Sequence, residues 1–172
     1  AARPGDGLYV SGPLGLARAG LLALQAREAG YPELVQRFLA PRARFDAARL
    51  LADHGVACAM DVSDGLAGDA AHIARASGVT IALDLAAAPL PPALARWAAA
   101  HGRDPRELML AGGEDYELLF ACPPERFGAL APQLPGAFAV GCCQAFTGSY
   151  LTGLPEGLAS FQHGARLSAP SR

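Results

Sequence analysis

Alanine is the residue that most restricts how this chain can fold. It occurs 38 times in 172 residues, while aromatics make up only 7%. Helices and strands built from such small side chains have to pack by close backbone approach rather than around bulky rings. The chain is 52% apolar and 17% charged, which supports one sizeable core, and its length suits a single domain.

Several functions are excluded by what is missing. Every basic side chain other than histidine is arginine, and there is no lysine. That removes a phosphate-loop lysine, a protein-kinase lysine and Schiff-base chemistry. A net charge of −2 gives no basic footprint for nucleic acid. No apolar run reaches the 18 or so residues of a membrane span, so no membrane partner is expected, and the expected location is the cytoplasm. Cys58, Cys122, Cys142 and Cys143 show no C-x-x-C spacing, and His54, His72, His101 and His163 are scattered. Neither a structural zinc site nor a disulfide scaffold follows from them; the histidines read as surface or packing residues. The opening AARPGDG carries no methionine and no signal pattern, which suggests a start inside a longer gene product.

Hydrophobic periodicity alternates between strand and helix. Leu8–Ser11 reads as a strand, and 14–29 as a helix with Leu14, Ala17, Leu21 and Leu24 on its core face and Gly30 as its stop. Short helices follow from Tyr31-Pro32 and from Phe45 to His54. Val56–Met60 reads as a strand, 66–77 as a helix, 79–85 as a strand and 93–101 as a helix. Asp104-Pro105-Arg106-Glu107 starts another helix, with Asp104 as its N-cap. Tyr116–Ala121 is the next strand, 125–130 a short helix, and 137–140 and 149–152 late strands whose Gly141–Gly148 connection suggests a hairpin. The expected fold is a layered α/β (α+β) domain with a mixed sheet packed by helices.

Two stretches carry chemistry. Asp61-Val62-Ser63-Asp64-Gly65-Leu66-Ala67-Gly68-Asp69 follows an apolar strand and opens a helix, where backbone N–H groups favour phosphate. Asp61 and Asp64 are carboxylates suited to Mg²⁺, and Ser63 offers a hydroxyl to a phosphate. The plain alternative is that Asp64 only caps the helix. Gly112-Gly113-Glu114-Asp115-Tyr116-Glu117 brings three acids to the start of a strand. Asp115 and Glu117 would share one face of it, with Glu114 in the loop before, able to accept hydrogen bonds from a substrate; the alternative is a turn with solvated acids. Arg42 and Arg44, after Pro41, are either phosphate contacts or solvated.

The order and spacing of GDGLYVSGPLG, YPEL…PRAR, DVSDGLAGD and GGEDYELLF make the chain similar to the C-terminal half of thiamine-monophosphate kinases, in the superfamily of aminoimidazole ribonucleotide synthetase. The resemblance implies a single C-terminal domain over 1–172 and, in the complete enzyme, ATP- and Mg²⁺-dependent phosphorylation of thiamine monophosphate to thiamine diphosphate. It assigns Mg²⁺ to Asp61 and Asp64, ATP to Ser63, and substrate to Glu114. A further substrate contact falls on Phe161 in the stretch Gly157–Phe161, where Leu158 replaces the family's aromatic. It also implies an N-terminal domain that is not in this chain, homodimerisation of the complete enzyme, and no kinase activity from this chain alone. The alternatives are another ATP-using member of the superfamily, of the aminoimidazole ribonucleotide, hydrogenase-maturation or selenophosphate type, or a non-catalytic binding or assembly domain.

Overall fold

The computed structural model describes residues 1–155. Its centre is a six-stranded sheet of β1 (Gly7–Val10), β2 (Cys58–Asp61), β3 (Val79–Leu83), β4 (Leu118–Cys122), β5 (Phe138–Ala145) and β6 (Leu151–Thr152), in the order β2-β4-β1-β5-β3-β6. All pairings are antiparallel except β3 with β6. The mixed sheet is therefore as expected, but the late hairpin is not. Strand β5 runs straight through most of the connection expected after Val140, and β3 lies between it and β6. Gly141 does not turn the chain there. It sits inside the strand, where a Cβ would fall on the Ala82 carbonyl of β3, so the glycine permits a close cross-strand approach.

Among the described residues the α-helices are α1 (Leu16–Gln25), α2 (Pro32–Leu39), α3 (Phe45–Asp53), α4 (Leu66–Ser77), α5 (Pro92–Ala100), α6 (Pro105–Ala111) and α7 (Pro124–Leu130). Side-chain alternation along the strands divides them into two layers. Leu8, Val10, Leu119 and Ala121 join α1, α4, α5 and α6 in the main core. Tyr9, Phe120 and Cys122 face the other way, onto α3 and α7. Asp104 caps α6 as expected, accepting from the Arg106 N–H at 2.8 Å.

The stripe of α1 differs from the expected one. Leu16, Ala17, Ala19, Gly20 and Ala23 are buried, whereas Leu24 is exposed. Small residues face inward because α2 lies directly against α1. The helix also stops before Gly30: Arg27 takes a left-handed φ of 57°, and the Glu28 N–H reaches back to the Ala23 carbonyl at 2.9 Å, a Schellman-type ending.

Gly20 marks the closest point of that contact, since a Cβ there would fall on the Leu34 carbonyl oxygen of α2. Helix propensity alone would make Gly20→Ala stabilising by about 1 kcal/mol. The steric clash reverses the sign, and urea unfolding should show a net loss of roughly 1–3 kcal/mol.

Candidate functional site

Strands β2 and β4 pair in register, Asp61 opposite Leu118, and their ladder continues past both strand ends. The Val62 N–H donates to the Glu117 carbonyl at 2.7 Å, the Tyr116 N–H to the Val62 carbonyl at 2.9 Å, and the Glu114 N–H to the Ser63 carbonyl at 3.0 Å. The two acidic segments are thus stitched side by side at one sheet tip. Glu114, distant in sequence, is thereby brought beside the Asp61–Asp64 segment that ends β2.

The second loop achieves this with an unusual backbone. Glu114 and Tyr116 have positive φ of 71° and 51°, a conformation that costs a non-glycine residue of order 1 kcal/mol and persists only when its surroundings enforce it. Side chains then alternate in destination. Glu114 and Tyr116 are partly exposed, and the Tyr116 hydroxyl donates to a Glu114 carboxylate oxygen at 3.0 Å. Asp115 and Glu117 are buried. The two acids are both buried rather than solvated, and because strand β4 begins only after them their placement does not come from strand alternation.

Each buried acid holds a neighbouring element. Asp115 accepts from the N–H groups of Gly15 and Ala17 at 2.6 and 3.1 Å, placing a carboxylate at the N-terminus of α1. Glu117, with a side chain 2% exposed, accepts from the Ser11 hydroxyl at 2.6 Å and pairs with Arg37 at 3.3 Å and Arg44 at 3.4 Å. Arg44 also donates to the Ser11 carbonyl at 3.1 Å. It is therefore neither a solvated residue nor simply a phosphate contact; it ties the link between α2 and α3 to the sheet tip. Arg42 is exposed. Gly12 completes the fit, because a Cβ there would lie 2.7 Å from the Glu117 carboxylate.

The first loop has a brace of its own. Asp69, buried in the first turn of α4, accepts from the N–H groups of Ser63 and Asp64 at 3.0 and 3.1 Å. Those amides, expected to face a phosphate, are taken by the protein's own carboxylate. Asp64 does not cap α4: the N-cap is Gly65, at φ 95° and without a side-chain cap. Asp61 is exposed, and the Asp64 side chain is 34% exposed with His72 Nε2 4.0 Å away. Donor atoms of Asp64, Asp69 and His72 lie within 4.8 Å of one another. Reading the residues one at a time missed Asp69 and His72; their i, i+3 spacing on α4, directly behind Asp64, was the available signal.

Negative charge pools between the loops. Burial pushes Asp69 up to about 6, and the charges of Asp64 and Asp61 add to the effect against its two N–H donors. The Tyr116 phenol is raised by its bond to Glu114, by burial and by the charges of Glu114 and Asp61. Carboxylates gathered in this way attract a hard cation. Phe161 lies outside the described residues, as do the rest of its motif and Leu158.

Residues 3–141 match the family model described as AIR synthase related protein, C-terminal domain. The chain belongs to that family. Among curated members it is 45% identical over 130 residues to thiamine-monophosphate kinase of Aquifex aeolicus, covering 73% of this chain and 42% of that protein. It is 42% identical over 136 residues to the thiamine-monophosphate kinase of Salmonella typhimurium, covering 75% and 40%. Among solved structures, AaThiL complexed with AMPPCP and TMP superposes with a TM-score of 0.83 at 37% identity, covering 94% of this chain and 52% of that one. The chain spans about half the length of these relatives. No helix among the described residues is long and apolar enough to cross a membrane.

The buried Asp115 of this family domain sets a pH dependence. Burial raises its carboxyl to about 7, against the lowering effect of the Gly15 and Ala17 N–H groups and Arg37 and with the help of Glu117. A carboxyl raised in the folded state binds its proton more tightly there than when unfolded. The stability this gives is complete below the ordinary carboxylate range and is lost as pH rises through about 7. Unfolding free energy should therefore fall between about pH 4 and pH 7, by at most about 1.4 kcal/mol per pH unit for this one proton. Asp115→Asn keeps an acceptor for the α1 amides and should flatten that slope in denaturant titrations at several pH values.

Proposed function

We propose that this chain is the C-terminal portion of a thiamine-monophosphate kinase, which in the complete protein transfers the γ-phosphoryl group of ATP to thiamine monophosphate with Mg²⁺, giving thiamine diphosphate. The observation that carries the reading is the stitched pair of loops, which gathers Asp61, Ser63, Asp64 and Glu114 at one tip. Similarity to two curated thiamine-monophosphate kinases and to a structure holding AMPPCP and TMP supports the choice of donor and acceptor. We extend the proposal to a homodimeric, cytoplasmic complete enzyme whose remaining half supplies the other side of the site.

The residues fit Mg²⁺. Asp61 and Asp64 present hard carboxylate oxygens, accessible at the tip, and among the described residues Asp61 has no ion-pair partner to neutralise it. They would hold the ion; bound there, it would neutralise charge on the phosphates of donor and acceptor. Asp69 keeps the Ser63 and Asp64 backbone in place, so the Ser63 hydroxyl is that residue's contribution toward ATP. Glu114 accepts a hydrogen bond from the acceptor, with Tyr116 fixing its carboxylate. No protein nucleophile or strong base is needed, because a phosphate oxygen of the acceptor is already ionised near neutral pH and attacks in line. The absence of lysine accords with this, since metal cations can take over the charge role of a phosphate-loop lysine.

Replacing Asp61 or Asp64 with Asn in the complete gene product should lower kcat for thiamine diphosphate formation by roughly 10²-fold or more, with the melting temperature preserved. Wild-type-like turnover in both variants would refute the metal role, and absence of turnover in the wild type with thiamine monophosphate would refute the substrate.

A further inference from the structure

The only tryptophan of the chain, Trp97, lies in the last turn of α5 and is buried, yet its indole N–H needs an acceptor. Glu28, in the turn between α1 and α2, supplies one: a carboxylate oxygen accepts from Trp97 Nε1 at 3.2 Å. The other carboxylate oxygen is 2.8 Å from His101 Nε2. The remaining ring nitrogen, His101 Nδ1, is 2.7 Å from the Trp97 carbonyl, and the imidazole stacks on the indole with centroids 4.2 Å apart. One carboxylate thus ties the α1–α2 turn to the end of α5.

Both imidazole nitrogens face acceptors, and this fixes the proton count. A carbonyl oxygen can only accept, so Nδ1 carries a hydrogen. At Nε2, a neutral ring would set a nitrogen lone pair against an ionised carboxylate, so the contact needs one more proton. His101 is also the C-cap of α5, where the helix end favours a cation, and a cation is attracted to the face of an indole. The bonds to Trp97 and Glu28 accordingly hold the imidazole pKa above its ordinary value, against burial and the charge of Arg103. The other titratable and charged neighbours are Tyr31 at the start of α2, its ring centroid 6.3 Å from that of His101, and Arg96 of α5, which is paired with Glu33 of α2. With the His101 and Glu28 side chains 31% and 24% exposed, protons exchange with solvent without unfolding of the domain.

We propose that Glu28, Trp97 and His101 form a proton-dependent latch, in which an imidazolium clamps the α1–α2 turn to α5 and loss of its proton releases the turn. The sign follows from the tighter hold on the proton in the folded chain. The contribution of the latch is complete below the ordinary histidine value of about 6.5 and is lost as pH rises through the higher folded value. The opposite end of α1 is held by Asp115, so the latch governs the end of that helix away from the acidic loops.

The test is an NMR titration of the isotopically labelled chain with pH, following the His101 ring and the exchange protection of the Glu28 and Arg103 amides, which donate to the Ala23 and Ala98 carbonyls. Protection is read relative to the amides of β4, which report opening of the whole domain and so absorb the pH effect of Asp115. The expected result is a His101 midpoint higher in the folded chain than in urea, with relative protection falling beyond that midpoint by up to tenfold per pH unit. Glu28→Gln separates a proton-dependent latch from a plain structural contact. Its carbonyl accepts from Trp97 and its NH2 donates to a neutral Nε2, so the turn should stay protected and the pH dependence vanish. A folded midpoint no higher than the unfolded one, relative protection indifferent to pH, or a Glu28→Gln variant with the wild-type pH dependence would each overturn the proposal.

Discussion

The site depends on a short run of backbone hydrogen bonds that outlasts the strands from which it starts. Between Val62–Ser63 and Glu114–Glu117 the chain is no longer regular strand, yet three N–H···O=C bonds of 2.7 to 3.0 Å keep the two segments paired. Glu117 locks this arrangement from within. A buried carboxylate is tolerable only when hydrogen bonds and opposite charges surround it, and here a hydroxyl and two guanidinium groups do so. Because Arg37 belongs to α2 and Arg44 to the approach to α3, one side chain joins helices on both faces of the sheet to its tip.

The same tip concentrates acids with opposite tasks. Asp69, Asp115 and Glu117 point inward and are consumed by amides, a hydroxyl and arginines; they set the shape of the loops. Asp61, Asp64 and Glu114 stay accessible; the charges of Asp64 and Asp61 add to the burial that raises the Asp69 carboxyl, and those of Glu114 and Asp61 add to the hydrogen bond and burial that raise the Tyr116 phenol. Like charges held together by a rigid backbone store electrostatic repulsion that a divalent cation relieves. The positive φ of Glu114 and Tyr116 belongs to the same picture, since backbone strain of this kind is maintained only where the surrounding structure enforces it.

Much of this was legible in the sequence, and the misses have identifiable causes. The strand-to-helix passage at Asp61–Leu66 and the acids after Gly112-Gly113 stand out because apolar runs end abruptly in charge, and the structure places them together. Their individual roles are a matter of burial, which local pattern does not disclose. Glu117 resembles a solvated acid until Ser11, Arg37 and Arg44 arrive from up to 106 positions away. Leu24 resembles core because its spacing is helical, yet the tight α1–α2 approach turns the alanine and glycine side inward. Gly141 resembles a turn because glycine serves both turns and close cross-strand contacts, and only the neighbouring strand decides between them. Phe161 was placed by motif alone, outside the described residues.

The central claim is that both acidic loops serve one cation-bridged phosphate site. Mn²⁺ in place of Mg²⁺, added to the labelled chain together with AMPPCP, tests it through paramagnetic broadening of backbone amides. A single site requires Ser63, Asp64, Gly113 and Glu114 to broaden together at low Mn²⁺, before amides of β3 or α7. Broadening confined to one loop, or spread evenly over acidic surface such as Asp53 and Glu125, would contradict it.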